Sequence, residues 1–252
     1  MTRDNPALAN AVSAAIAAGD AVRGTTSPNP PVGCAIVTAS GEVIATGGTS
    51  PAGGPHAEVN ALREAGPRTK GATAVVTLEP CNHTGRTGPC TQALVDAGIA
   101  RVVYLTADPF EPASGGADWL RTHGLDVALL HTRVEALQPW LRSVRNNRPS
   151  VTLKFASTLD GFTAAADKTS KWITCDEARA AVHADRTKRD AIVIGTGTAL
   201  ADNPSLTARH SDGALYEHQP RRVVVGKRAV PSGNLTELGF EQYDTPQAAL
   251  TA

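Results

Sequence analysis

The pattern of apolar and polar positions predicts helices alternating with strands along the whole chain. The first helix is predicted over residues 5–22, where apolar residues recur near helical spacing. Asn5-Pro6 supplies a cap followed by proline at the first helical position. Gly19 falls on the same apolar stripe, so the pattern predicts that this helix weakens or ends there.

The rest of the first half continues the alternation. Period-two stretches predict strands and period-3.6 stretches predict helices, and Ala39-Ser40-Gly41 indicates a hairpin turn. Strands alternating with helices are typical of a layered α/β domain. The predicted strands are residues 32–38, 42–46, 72–78, 101–106 and 126–130, and the predicted helices are residues 56–65, 90–97, 117–123 and 134–144.

A polar, proline-bearing segment at residues 145–150 predicts a domain boundary, which divides the chain into residues 1–147 and 148–252. Beyond it the alternation restarts with fewer elements than a second closed α/β domain needs. The predicted strands there are residues 151–156, 191–194 and 222–225, and the predicted helices are residues 175–186 and one starting near Thr245-Pro246.

Composition narrows the class of protein. Hydrophobic residues make up 41% of the 252, which supports a buried core and excludes a disordered chain. The 24 Lys and Arg balance 24 Asp and Glu, unlike proteins that hold nucleic acid or an anionic membrane. No apolar run approaches roughly 18 residues, and the start lacks a signal-peptide core. The four cysteines therefore predict reduced thiols or metal ligands in a soluble, cytoplasmic protein.

The strongest chemical signal is a set of zinc-type ligands at predicted helix starts. His56, Cys81 and Cys90 fit the three protein positions of a catalytic tetrahedral zinc site whose fourth position binds water. Glu58, two residues after His56, is placed to carry protons to and from that water. Each element alone also fits a structural zinc site or buried core thiols, whereas the ordered combination favours catalysis.

His-x-Glu followed by Pro-Cys and a second cysteine is the signature of zinc nucleobase deaminases, here with eight residues between the cysteines. The run of residues 77–90, Thr-Leu-Glu-Pro-Cys-Asn-His-Thr-Gly-Arg-Thr-Gly-Pro-Cys, closely resembles the bifunctional riboflavin-biosynthesis deaminase/reductase family, often called RibD. The resemblance extends to residue 225 or so. Its other motifs are residues 28–34, 55–59, 154–161, 172–174 and 200–207.

This resemblance implies a cytidine-deaminase-like three-layer α/β/α domain followed by a partial dihydrofolate-reductase-like α/β domain. The first would deaminate a phosphoribosylamino-substituted diaminopyrimidinone with Zn²⁺, and the second would reduce the ribosyl group to ribityl with NADPH. In the first domain, Asn29 would orient the pyrimidine, and Arg86 would contact the phosphate, with a solvated loop arginine as the alternative. His83 would contact substrate or cap its loop.

In the second domain the resemblance assigns residues to two sets. Gly195-Thr196-Gly197-Thr198 by itself is only a weak phosphate-loop signal, and a tight turn explains it equally well. The cofactor-binding set is Ala156, Trp172, Thr198 and Asp202, and the substrate-binding set is Lys154, Ser170, Arg186, Leu206 and Arg209. Core packing is the alternative for Trp172 and Leu206, and a surface ion pair is the alternative for Lys154 and Asp202.

The chain departs from the family pattern in three places. Thr49 stands where a histidine is common, Gly226 stands where an aspartate is often found, and no glycine-rich Glu-Gly-Gly-Pro-type motif follows residue 225. We therefore expect deamination without reduction, from a reductase domain that is a fragment or has decayed. The expected partner is a small phosphorylated pyrimidine, with no nucleic acid and no membrane, and a homo-oligomer is left open.

Two other functions fit parts of the pattern. A zinc deaminase acting on another base, a nucleoside or tRNA would use the same ligands, but a polynucleotide substrate usually requires a basic face. A structural zinc-binding subunit without turnover would close its site with four ligands and would need no adjacent carboxylate, which makes Glu58 the discriminating residue.

Overall fold

The structure is a computed structural model that describes residues 6–84 and 88–252. These residues form two compact units, and the chain passes from the first to the second between Arg148 and Pro149. In the described part of the chain, each helix is too short or too polar to cross a lipid bilayer.

The first unit is built on one five-stranded sheet in the order β2-β1-β3-β4-β5. β1 pairs antiparallel with β2 and β3, whereas β3, β4 and β5 run parallel. Every helix and strand predicted for this half is present, with ends shifted by a few residues, and the last predicted helix begins as a 3-10 turn at Glu135–Leu137. The elements are α1 (Pro6–Ala21), β1 (Gly33–Val37), β2 (Val43–Gly48), α2 (Ala57–Ala65), β3 (Thr73–Val76), α3 (Cys90–Asp96), β4 (Arg101–Tyr104), α4 (Gly116–Thr122), β5 (Asp126–Leu129) and α5 (Gln138–Asn146).

Alternation along β1 divides the core between the two faces of the sheet. Cys34 and Ile36 point into a cluster with Ala57 of α2, whereas Ala35 and Val37 pack in a second cluster with α1. All five residues of β1 are buried, because helices cover both faces. The three-layer α/β/α fold expected for the first half is confirmed.

Gly19 corrects one expectation about α1. The helix continues through it to Ala21, because the glycine lies at a close approach of the helix to the backbone around β1. A Cβ atom on Gly19 would lie 2.9 Å from the carbonyl oxygen of Pro31 and 3.1 Å from the backbone nitrogen of Gly33. The glycine serves this backbone contact, so its low helix propensity is outweighed by packing.

The second unit has a smaller, three-stranded parallel sheet in the order β6-β7-β8. Four of its buried apolar residues, Ala199, Leu206, Val224 and Leu235, form one small core cluster. Thr245 accepts a hydrogen bond from the backbone N–H of Ala248 at 3.2 Å, so the helix start predicted there is confirmed. The elements are α6 (Asp176–Arg186), β6 (Ala191–Gly195), α7 (Thr196–Asp202), β7 (Arg221–Val225), α8 (Asn234–Leu238), β8 (Glu241–Tyr243) and α9 (Pro246–Thr251).

The strand predicted over residues 151–156 is wrong. That segment has no regular structure, and Val151, Leu153 and Phe155 are 71%, 83% and 69% exposed. A strand needs a hydrogen-bonded neighbour and a covered apolar face, and among the described residues β6, β7 and β8 pair only with one another. The period-two pattern therefore has no sheet to join.

Candidate active site

Three loops of the first unit bring the predicted metal ligands together. His56 is the N-cap residue of α2, Cys81 lies in the loop after β3, and Cys90 is the first residue of α3. The backbone of His56 is extended, as is that of Pro89 before Cys90, so each helix begins at the site. The ligands therefore lie at the ends of buried elements, which fix their positions.

The ligand atoms are spaced as a zinc site requires. His56 Nδ1 lies 3.5 Å from Cys81 Sγ and 3.3 Å from Cys90 Sγ, and the three ligand atoms lie within 4.8 Å of one another. Zn–S and Zn–N bonds of about 2.3 and 2.0 Å in a tetrahedron separate nitrogen from sulfur by about 3.5 Å. One imidazole and two thiols at these distances fit zinc.

Hydrogen bonds within the cluster set its protonation. The Cys90 thiol lowers the pKa of Cys81 by hydrogen bonding, and the pKa of Cys90 is raised in turn by that bond and by burial. The hydrogen bond to Cys81 also raises the pKa of His56. One thiolate is thus already favoured without metal, and binding requires the remaining thiol proton to leave.

Glu58 lies in the first turn of α2, and only 4% of its surface is exposed. Burial raises the pKa of its carboxyl to about 7, and the negative charge of Cys81 acts in the same direction. A carboxyl that titrates near neutral pH can both accept and return a proton, which is what a general acid–base group must do.

A cavity of about 340 Å³ opens beside these residues. His56, Glu58 and Cys81 contribute to its lining together with further polar groups and an apolar wall. This volume suits a small heterocycle with a few directed polar contacts. The other lining residues are Pro28, Asn29, Pro30, Val32, Thr49, Leu78, Glu79, His83, Asp108, Phe110, Ala113, Trp140 and Val144.

The structure brings Asn29 and His83 to this cavity, as the resemblance implies. The turn that carries Asn29 is closed twice, since its N–H donates to the carbonyl of Thr26 and the Thr26 hydroxyl donates to the carbonyl of Asn29, both at 2.9 Å. His83 Nδ1 is buried and has no partner among the described residues. Arg86, the expected phosphate contact, lies outside the described residues.

Thr49, the departure from the family pattern, also lines the cavity. It is 3% exposed, and its hydroxyl oxygen accepts a hydrogen bond from the backbone N–H of Val32 at 3.2 Å. The short side chain is thus used to pair a backbone group next to β1.

Sequence reasoning missed Glu79 and Asp108. Glu79 accepts hydrogen bonds from the backbone N–H groups of Ala117 in α4, at 3.0 Å, and of Asp108, at 3.3 Å. Burial raises the pKa of Asp108 to about 6. A positional signal was available, because Asp108 follows the carboxyl end of β4, where parallel sheets place ligand-binding groups.

In the second unit, one subset of the expected residues converges. The Arg186 guanidinium donates to the carbonyl of Thr207 at 2.7 Å, next to the buried Leu206. Burial and the nearby charge of Arg209 both lower the pKa of Arg186. Two nearby positive charges attract an anion.

The other expected residues of the second unit lie on different elements. Ser170 and Trp172 line a more open cavity of about 580 Å³, where Arg179 stacks 4.5 Å above the Trp172 ring. Thr198 and Asp202 are exposed on α7, the helix that starts at the Gly-x-Gly turn. Lys154 and Ala156 lie in residues 151–156, the irregular segment that was predicted to be a strand.

Two family models match the chain. The cytidine and deoxycytidylate deaminase zinc-binding region matches residues 7–106, and the RibD C-terminal domain matches residues 149–237. A riboflavin biosynthesis protein RibD of Corynebacterium ammoniagenes is 59% identical over 253 residues, which is 97% of this chain and 75% of that protein. Its namesake in Mycobacterium tuberculosis is 52% identical over 214 residues, which is 83% of this chain and 63% of that protein.

Solved structures agree with these matches. A diaminohydroxyphosphoribosylaminopyrimidine deaminase/5-amino-6-(5-phosphoribosylamino)uracil reductase of Thermotoga maritima matches with a TM-score of 0.83 at 36% identity, over 94% of this chain and 68% of that one. RibD of Acinetobacter baumannii matches with a TM-score of 0.82 at 35% identity, over 96% of this chain and 75% of that one. The motif-based resemblance is confirmed, and the chain belongs to the RibD family of riboflavin biosynthesis proteins.

Proposed function

We propose that the first unit is a zinc-dependent deaminase of riboflavin biosynthesis that acts on diaminohydroxyphosphoribosylaminopyrimidine. The observation that carries the proposal is the buried Glu58 carboxyl at a cavity whose lining also includes the ligand cluster of His56, Cys81 and Cys90. A purely structural zinc site needs neither a cavity nor an adjacent carboxyl.

His56, Cys81 and Cys90 would hold zinc, which when bound supplies a strong nucleophile from water at neutral pH. Glu58 takes one proton from the attacking water and delivers it to the departing amino group. Water thereby adds its oxygen to the ring carbon while the C–N bond breaks, and ammonia leaves. The buried position of Glu58 keeps bulk water from competing for its proton.

Asn29 and His83 would bind the pyrimidine, and Arg86 would contact the phosphate. The Asn29 turn is held by its bonds to Thr26, so its amide is positioned before the substrate arrives. The Nδ1 of His83, which has no partner among the described residues, would gain a hydrogen-bond partner when a polar ligand enters. Arginine suits bidentate contact with phosphate.

The second unit is proposed to bind NADPH and the deaminated product weakly. Arg186, Leu206 and Arg209 would meet the product's phosphoribosyl part, together with Lys154 and Ser170. Ala156, Trp172, Thr198 and Asp202 would contact the cofactor. Reduction of ribosyl to ribityl is expected to be slight, because several of these residues lie on exposed segments.

We expect the protein to act in the cytoplasm, where Cys81 and Cys90 stay reduced and able to bind metal. A polynucleotide substrate is disfavoured by the balanced charge of the chain. A homo-oligomer is compatible with the proposal and is not required by it.

The decisive experiment measures ammonia release from the pyrimidine phosphate by the zinc-loaded protein and by Glu58→Gln. The amide keeps the shape of the side chain but cannot accept a proton, so we expect a loss of about 10² to 10⁴-fold with zinc retained. Glu64→Gln is the matched control, since Glu64 lies on the same helix, is exposed, and accepts a hydrogen bond from the backbone N–H of Thr46 at 3.3 Å. Wild-type protein that holds zinc and releases no ammonia would refute the proposal.

A further inference from the structure

Trp140 joins two parts of the candidate active site that are far apart in sequence. It lies on α5, is half-buried, and lines the 340 Å³ cavity. Its indole Nε1–H donates a hydrogen bond to the carbonyl oxygen of Pro28, at 3.2 Å. One side chain thus forms part of the cavity wall and also holds the turn before Asn29.

The contact with Pro28 acts on the residue that the substrate must meet. The peptide group between Pro28 and Asn29 has its carbonyl oxygen bonded to the Trp140 indole. Its N–H, which belongs to Asn29, donates to the carbonyl of Thr26. The turn is therefore held by local hydrogen bonds with Thr26 and by a hydrogen bond from Trp140, which is distant in sequence. The indole thus adds a long-range hydrogen bond to the local bonds that hold Asn29 at the cavity.

The part of the cavity wall formed by Trp140 is an apolar aromatic surface, which suits stacking against a flat ring. Its one polar atom is already paired with Pro28, so the remaining ring surface is apolar. Phe110, which is 45% exposed, is a second aromatic residue of the same cavity lining. The acid–base and metal-binding groups His56, Glu58 and Cys81 also contribute to this lining, so a heterocycle bound for reaction has an aromatic contact available.

We propose that Trp140 contacts the bound pyrimidine and positions Asn29 through Pro28. This inference rests on the proposed deamination. It makes Trp140 a determinant of substrate binding, and the chemical step stays with Glu58.

The first test is a kinetic comparison of Trp140→Ala and Trp140→Phe. Loss of an aromatic contact to a base costs about 1–3 kcal/mol, so KM in Trp140→Ala should rise by about 5- to 150-fold, with a smaller change in kcat. Trp140→Phe keeps a ring but loses the bond to Pro28, so its KM should rise by about 2- to 10-fold. Zinc content should be unchanged in both.

Trp119→Phe is the matched control. Trp119 is also half-buried against the same core, but it stacks on His123, 3.6 Å between centroids, and does not line the cavity. Its kinetic constants should stay within about twofold of wild type. A wild-type KM in Trp140→Ala would overturn the proposed role of Trp140 alone, whereas a wild-type protein that releases no ammonia would overturn the deamination and this inference together.

A spectroscopic readout separates contact from mere structural support. Trp172 lies beside Ser170 in the unit proposed to bind the deaminated product, so each protein in this comparison also carries Trp172→Phe. The remaining tryptophans are then Trp119 and Trp140, and saturation with the deaminated product should change the tryptophan emission of the parent protein and of its Trp119→Phe variant. The change should be lost in Trp140→Phe. If Trp140→Phe fails to bind zinc, Trp140→Tyr replaces it, and unchanged emission in the saturated parent protein would by itself overturn the contact.

Discussion

His56 presents one ring nitrogen to two buried thiols, and this contact determines how the site responds when one ligand is lost. The hydrogen bond between the two thiols lowers the pKa of Cys81 and raises the pKa of Cys90, so neither cysteine acts independently of the other. At the scale of single residues, the cluster is a unit whose members hold one another in place.

Cys81→Ser should therefore strip the metal and lower the unfolding temperature of the first unit. Wild-type protein should contain about one zinc per chain, and metal binding is coupled to folding. Cys175→Ser is the control, because Cys175 is exposed at the N-cap of α6 and serine is a good cap. Elemental analysis checks the prediction, and full zinc content in Cys81→Ser would contradict it.

The raised pKa of Asp108 should make the stability of the wild-type protein depend on pH. Burial raises its pKa from 3.8 to about 6, so the folded protein keeps a proton that the unfolded chain releases near pH 4. This group therefore stabilises the fold at low pH, and its contribution is lost as the pH rises through about 6.

Asp108→Asn cannot titrate. Relative to wild type, its free energy of unfolding should increase by about 1–2 kcal/mol between pH 4 and pH 7, discounted for the partial exposure of Asp108. Urea unfolding at a series of pH values measures this difference. Parallel curves for the two proteins would show that the carboxyl titrates normally.

At the scale of elements, α4 is held against the zinc-ligand loop by backbone contact. A Cβ atom on Gly116 would lie 1.8 Å from the carbonyl oxygen of Pro80, the residue before Cys81. Glu79 adds a hydrogen bond to the backbone of Ala117 in the same helix. The position of Cys81 therefore depends on how closely α4 approaches.

Gly116→Ala should push α4 away from Pro80, lower the stability of the first unit by about 1–3 kcal/mol, and weaken zinc binding. Gly88→Ala is the matched control, because a Cβ there meets no atom of the described residues within 4 Å. Chemical unfolding and competition with a chelator measure the two effects. Equal stability of both variants would mean that α4 shifts without cost.

The elements of the first unit were predictable because its strands are short, apolar and bounded by turn residues, so pattern and packing agree. In the second unit the pattern misleads in both directions. Residues 151–156 alternate like a strand but have no neighbouring strand in the described part of the chain. By contrast, β8 is the three-residue sequence Glu-Gln-Tyr, which has no apolar period and pairs because β7 lies beside it. Strand pairing depends on tertiary structure, which the period of apolar residues does not predict.

The same division applies to the site. His56, Glu58, Cys81 and Cys90 share a motif with chemical meaning and meet as expected. Trp140 reaches the cavity from a helix about 50 residues beyond the last of them, and nothing in its local sequence distinguishes it from a core tryptophan.

At the scale of the whole molecule, the two units differ in how much apolar surface they leave exposed. Leu159, Phe162 and Trp172 of the second unit are exposed along with the segment at residues 151–156. We expect NADPH oxidation that depends on the deaminated product to be at least about 100-fold slower than deamination, because poorly held reactants lose near-attack geometry. Comparable rates of ammonia release and NADPH oxidation would contradict this expectation.

The burial of β1 has a consequence for folding cooperativity. Because this strand gives alternate residues to the clusters on the two faces of the sheet, neither helical layer can detach without exposing part of the other's core. Partial unfolding of one layer therefore brings little gain in chain entropy at a large cost in apolar exposure. We therefore expect the helical layers on both sides of β1 to unfold together, in one all-or-none transition that also releases the zinc ligands.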